Sequence, residues 1–203
     1  IEYVLSLGED VNYQDFLGWS LLHETTYRKQ YDLVSFIIKK KGNLNLENKK
    51  GRTALHIAVI NRDEKMVVLL LKSGADVNYE DADGWTPLHF ATRLNEINIM
   101  KVLIKNNALV NAQDKMGRTP IFEASQEGHE KALKLLIASK ADVNVSNKFI
   151  SNPKRALDVA KNDKIKEILI QSGAKKGQSI FSNGISISPG YHYSTYLENN
   201  DIH

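Results

Sequence analysis

Between residues 84 and 107 the chain switches from a turn signal to two short runs of helical rhythm. Gly84 follows Asp83 in a pair suited to a tight hairpin, because glycine tolerates a positive φ. Thr86 then offers an N-cap oxygen, and Pro87 takes the first helical position, where a missing N–H costs nothing. The pattern predicts a helix from about Pro87 to Leu94. A left-handed turn at Asn95 follows, then a second helix from about Ile97 to Asn106. That second helix turns Ile97, Met100, Val102, Leu103 and Ile104 toward its neighbours. Asn107, second only to glycine in a left-handed cap, closes it.

The unit repeats. Asn12, Asn45, Asn78, Asn111 and Asn144 stand 33 residues apart, each preceded by Val11, Leu44, Val77, Val110 or Val143. The same interval links Gly18, Gly51, Gly84 and Gly117, and links Leu22, Leu55, Leu88 and Ile121. A fixed period of this length means one supersecondary unit stacked on copies of itself. The expected division is a half repeat at 1–11, repeats at about 12–44, 45–77, 78–110 and 111–143, a degenerate capping repeat at 144–174, and a tail at 175–203.

The strings Thr86-Pro87-Leu88-His89-Phe90-Ala91 and Thr53-Ala54-Leu55-His56-Ile57-Ala58 resemble the ankyrin repeat. So does the junction Ser73-Gly74-Ala75-Asp76-Val77-Asn78. The resemblance covers residues 1 to about 174 and implies an all-α solenoid of helix-turn-helix units joined by β-hairpin loops. Departures are local. Ser20-Leu21-Leu22-His23-Glu24-Thr25 is a looser copy, and Phe122 replaces the histidine of the fourth unit. Lys41 and Lys140 stand where other units have Gly74 and Gly173, so those junctions are expected to bend or tighten differently. Ile150 replaces the turn glycine of the last unit, and Ser151, Asn152 and Pro153 lengthen its hairpin. Residues Ile1 to Leu7 align with the second helix of a unit whose first half is missing, so the chain is expected to belong to a longer protein.

Composition narrows the classes. The longest apolar run, Met66 to Leu71, is far below the roughly 20 residues that span a bilayer, so membrane insertion is not expected. No cysteine is present, which removes thiolate chemistry and suits a reducing cytosol; cytoplasmic residence is the expectation. A net charge of +3 is too mild to announce a nucleic-acid binder. The Lys-, Asn- and Ile-rich wording is shared with AT-rich genomes, among them intracellular bacteria that deliver ankyrin proteins into host cells.

No phosphate loop, nucleophile elbow or zinc-protease helix occurs. His23, His56 and His89 occupy equivalent places in successive units about 8–10 Å apart, too far to share one ion, and the resemblance gives this histidine a structural role. Asp15, Asp81 and Asp114 recur at the repeat period and read as hairpin hydrogen-bonders. The expectation is therefore no enzyme, no catalytic residue, no cofactor and no small-molecule substrate.

Function is expected in the columns that vary. In ankyrin proteins partners lie along the concave side, against hairpin tips and exposed first-helix positions. The matching tip residues are Phe16, Leu17 and Trp19; Lys49, Lys50 and Arg52; Ala82, Asp83 and Trp85; and Lys115, Met116 and Arg118. The first-helix positions are Tyr27 and Arg28, Ile60 and Asn61, Arg93 and Leu94, and Gln126 and Glu127. Trp19, Arg52, Trp85 and Arg118 form one column, which the resemblance places in solvent, and Trp and Arg are the residues most enriched at interface hot spots. Lys49, Lys50 and Lys115 join Arg28, Arg52, Arg93 and Arg118 in suggesting a partner protein of acidic character. The favoured reading is a protein-binding scaffold centred on Trp85. Its alternatives are a binder of nucleic acid or anionic lipid through the basic tips, or the targeting module of an enzyme or host-delivered effector. In the tail, Asn183-Gly184 between isoleucine-bearing runs predicts a hairpin over 179–188 that covers the last repeat, or else a tyrosine-rich flexible peptide.

Overall fold

The computed structural model describes residues 10–148 and 153–176. Most of the half repeat expected at 1–11, and the hairpin expected at 179–188, lie outside the described residues.

Nine α-helices occur among the described residues: α1 (Leu21–Tyr27), α2 (Tyr31–Lys39), α3 (Ala54–Ile60), α4 (Glu64–Lys72), α5 (Pro87–Arg93), α6 (Ile97–Lys105), α7 (Pro120–Glu127), α8 (Glu130–Ala138) and α9 (Asp163–Gln171). A four-residue 3-10 turn, Ala156–Val159, precedes α9 where the earlier units have a first helix. No extended strand forms among these residues, and the one isolated bridge is antiparallel, between Gln14 and Ser20.

Each helix packs on its own partner or on the 3-10 turn, and all but α2 pack as well on a counterpart in a neighbouring unit. The first helices form one row, α1 on α3 on α5 on α7, which ends on the 3-10 turn; α4, α6, α8 and α9 form a second row. The periodic apolar residues lie between the rows. Leu22, Leu55, Leu88 and Ile121 are buried on the first helices, and Ile37, Leu70, Leu103, Leu136 and Leu169 on the second. Helices this short are marginal in water, so the stacking of apolar faces is what holds them.

Polar staples fix the period of 33. The Asn12 side-chain carbonyl accepts from the backbone N–H of Asn43 at 2.7 Å. Asn45, Asn78, Asn111 and Asn144 do the same for Asp76, Leu109, Asp142 and Lys175. Each recurring asparagine thus caps a backbone donor in the following junction.

The hairpins have their own rule. Asp81 Oδ1 accepts from the N–H groups of Asp83 and Trp85, both at 2.9 Å, and Asp15, Asn48 and Asp114 repeat the arrangement. Gly84, at φ +81°, leaves no room for a side chain, since a Cβ there would lie 2.8 Å from the Lys115 nitrogen. The next hairpin packs directly on it. Successive tips are joined by backbone bonds: the N–H groups of Lys49, Ala82, Lys115 and Lys148 donate to the carbonyls of Leu17, Lys50, Asp83 and Met116.

One sequence expectation is corrected here. Lys41 and Lys140 adopt φ of 60° and 66°, the same left-handed region as Gly74 and Gly173. Those junctions keep the standard turn and carry its strain, rather than bending differently.

Candidate functional site

The histidines belong to the scaffold. Nε2 of His23, His56 and His89 lies 2.8, 3.1 and 3.2 Å from the backbone carbonyls of Arg52, Trp85 and Arg118. A carbonyl only accepts, so Nε2 carries the hydrogen. Nδ1 faces the backbone N–H of Ser20, Thr53 or Thr86, which only donates, so Nδ1 presents its lone pair. Acceptance at Nδ1 requires a neutral ring. Burial lowers the pKa of His23, and lowers those of His56 and His89 to about 4. His129 likewise donates from Nε2 to the Arg93 carbonyl at 2.9 Å. Among the described residues no three His, Asp or Glu side chains are grouped to hold a metal ion.

The histidine carbonyl partners are the column Arg52, Trp85 and Arg118, and here the structure overturns an expectation. Trp85 is 7% exposed, not solvent-facing. Its ring packs on Phe90 (centroids 4.9 Å apart) and His89, and its Nε1–H donates to Asp114 Oδ2 at 3.1 Å. The guanidiniums of Arg93 and Arg118 each lie 5.5 Å from the indole centroid. Arg52 covers Phe90 at 5.0 Å. The tryptophan is enclosed because hairpin, first helix and the next unit's arginine converge on one ring.

Those arginines are occupied. Arg118 Nε and Nη2 both lie 2.7 Å from Asp114 Oδ2. Arg52 pairs with Asp81 at 3.4 Å, and Arg93 with Glu123 at 3.3 Å and Glu127 at 3.9 Å. Glu123 is fully buried, with Oε1 3.4 Å from Arg118 Nη1. Burial pushes its carboxyl above the usual range, while Arg118 and Arg93 pull it back. Sequence reasoning missed this network. Its signal was a carboxylate directly following the apolar Ile57 and Phe90 in a column that opens with Glu24. Three arginines thus face four carboxylates, and this stretch of groove offers no free positive charge to an acidic partner.

The N-terminal end of the groove differs. Trp19 is half-buried, edge-on to Tyr27 (centroids 6.1 Å apart) and to His23. Phe16 is 80% exposed at the adjoining tip, with Lys49 Nζ 5.9 Å from its ring centroid, and Tyr13 is 71% exposed. Arg28 is exposed and pairs with Glu24. Leu17, on the same hairpin as Phe16, is half-buried, and so are Ile60, Leu94 and Met116, which are scattered along the stack. The structure therefore places Phe16, Leu17 and Trp19 on the first hairpin, with Trp19 packed on Tyr27, and gathers Trp85, Arg93, Arg118 and Arg52 into a separate, closed cluster.

A family model of ankyrin repeats, three copies long, matches residues 1–81 and 73–147. No curated protein matches the chain. No helix among the described residues is long and apolar enough to cross a membrane.

Proposed function

Since the chain belongs to the ankyrin-repeat family, whose members are generally protein–protein interaction modules and typically not catalysts, we propose that it is a non-enzymatic docking module. Its partner protein binds at the N-terminal end of the groove. The observation that carries this reading is the exposure of Phe16 at the tip of the hairpin that also carries the half-open Trp19, packed on Tyr27. Aromatic side chains left in water at positions where the scaffold does not use them gain most from being covered. The burial of Trp85 favours this end over Trp85 as the centre.

A photo-crosslinking residue placed at Phe16 captures a partner polypeptide, and one placed at Lys134 on the second-helix row does not. With the captured partner in hand, Trp19→Ala weakens binding about thirtyfold, the effect of a hot spot worth roughly 2 kcal/mol. Equal capture from both positions, or unchanged affinity of the Trp19 variant, refutes the assignment.

A further inference from the structure

With the groove arginines neutralised, the free positive charge that remains in one row lies on the hairpin tips. Lys49, Lys50, Lys115 and Lys148 are exposed, and none has an ion-pair partner among the described residues. One acid, Asp83, interrupts them in the middle. Phe16 and Leu17 occupy the equivalent tip at the N-terminal end, so the row runs from an apolar anchor into a line of cations.

The row is rigid. The N–H groups of Lys49, Ala82, Lys115 and Lys148 are bonded to carbonyls of the preceding tip, so spacing is set by the backbone rather than by side-chain choice. Successive units stack through their first helices, and packed helices lie about 8–10 Å apart, which places equivalent tip residues about 10 Å apart. A polypeptide in the polyproline-II conformation rises about 3.1 Å per residue with three residues per turn, so residues three apart share one face and one of them meets each tip.

We propose that the tip ridge binds an extended acidic segment of the partner protein in a fixed register. An apolar residue meets Phe16, an acidic residue about three positions on meets Lys49, and acidic residues about nine and twelve positions on meet Lys115 and Lys148. The residue facing Asp83, about six positions on, is neutral or basic. This rests on the reading of the chain as a protein-docking module and names the chemistry of what docks. Asp83 favours a polypeptide over a nucleic acid. A peptide can place a lysine or asparagine opposite that carboxylate, whereas every nucleotide of a strand brings another phosphate to it.

The test uses the full chain and dye-labelled 15-residue peptides read by fluorescence anisotropy at physiological salt. One peptide carries Leu at position 2, Glu at 5, Lys at 8 and Glu at 11 and 14, with Ser and Gly elsewhere; its reversed sequence covers the other chain direction. Controls are a scrambled peptide of the same composition, an oligothymidylate of 15 nucleotides, and vesicles containing phosphatidylserine. One of the two registered peptides binds at least tenfold more tightly than the scrambled one. Its affinity falls at least tenfold in the triple Lys49→Glu, Lys115→Glu, Lys148→Glu variant. Reversing the same number of exposed lysines on the second-helix row, Lys65, Lys101 and Lys131, changes it less than threefold, because charges beyond about 8 Å are screened. The milder Lys→Gln triple serves if charge reversal lowers the melting temperature.

Equal binding of the scrambled peptide, or equal loss in both lysine triples, overturns the proposal. Ridge-dependent binding of the oligonucleotide or the vesicles without the peptide also overturns it, in favour of those ligands. If a partner captured at Phe16 depends on Trp19 but not on the ridge lysines, the ridge proposal fails and the docking reading stands. If it depends on neither, both fail.

Discussion

Lowering the pH from 7.5 to 5 attacks His56 and His89 at once, and the structure gives the size of the effect. Each ring is held neutral by a donor on one nitrogen and an acceptor on the other. The folded-state pKa of about 4 lies below the unfolded value of 6.5. The unfolded chain therefore binds more protons between those values. The stabilisation is complete above about pH 6.5 and is lost as the pH falls toward 4. At pH 5 the unfolded ring is almost fully protonated and the folded ring is about 90% neutral, which gives about 2 kcal/mol of lost stability per histidine. Glu123 opposes this, since a carboxyl whose pKa is raised on folding favours the native state at lower pH. The histidine contribution is isolated by difference. Urea unfolding of the natural chain loses about 2 kcal/mol more between pH 7.5 and 5 than unfolding of His89→Gln does. The same point is checked without unfolding, because nitrogen NMR of the native protein shows both rings as the neutral Nε2–H form at pH 6. A native ring that titrates near 6.5, or a His89→Gln variant with an unchanged pH slope, refutes the bonding scheme.

Trp85→Ala lowers unfolding stability by roughly 3–5 kcal/mol, comparable to the roughly 2–5 kcal/mol of Leu88→Ala, as urea titration reads directly; a cost near zero means that the ring is not packed as described. Lys41→Gly and Lys140→Gly each raise stability by about 1 kcal/mol, because glycine adopts their left-handed φ without strain, and calorimetry showing no increase removes that strain. Asn78→Ala destabilises by about 1 kcal/mol by orphaning the Leu109 N–H, and amide exchange at Leu109 rises with it.

The fold was legible because its determinants are periodic. An asparagine that caps the same donor every 33 residues, and a leucine that fills the same gap, leave their spacing in the sequence. Helix ends near Arg93 and Lys105, and left-handed Asn95 and Asn107, follow from propensity and capping alone. The site was less legible because it depends on what fills the non-periodic columns. Nothing in the spacing of Trp19, Arg52, Trp85 and Arg118 distinguishes an open tryptophan from a closed one. The difference lies in Arg93 and Phe90, which cover Trp85 from other columns, and in Glu123 and Asp114, which hold the arginines there. Trp19 lacks that surround and stays half-open. In the last unit a further difference was not legible: the first helix collapses to the turn Ala156–Val159.

The fastenings between neighbours have a mechanical consequence. Tip bonds, asparagine staples and histidine bonds each join one unit only to the next, so a pull on the two ends of the stack loads the junctions in series. The weakest junction yields first and frees a segment of 33 residues, about 115 Å when drawn taut. Its neighbours are then left with one face bare. Such a chain lengthens in steps of roughly 100 Å rather than in one event, and recoils as the segments rejoin. In optical-tweezer traces the step size would carry the same period that the asparagines write along the sequence.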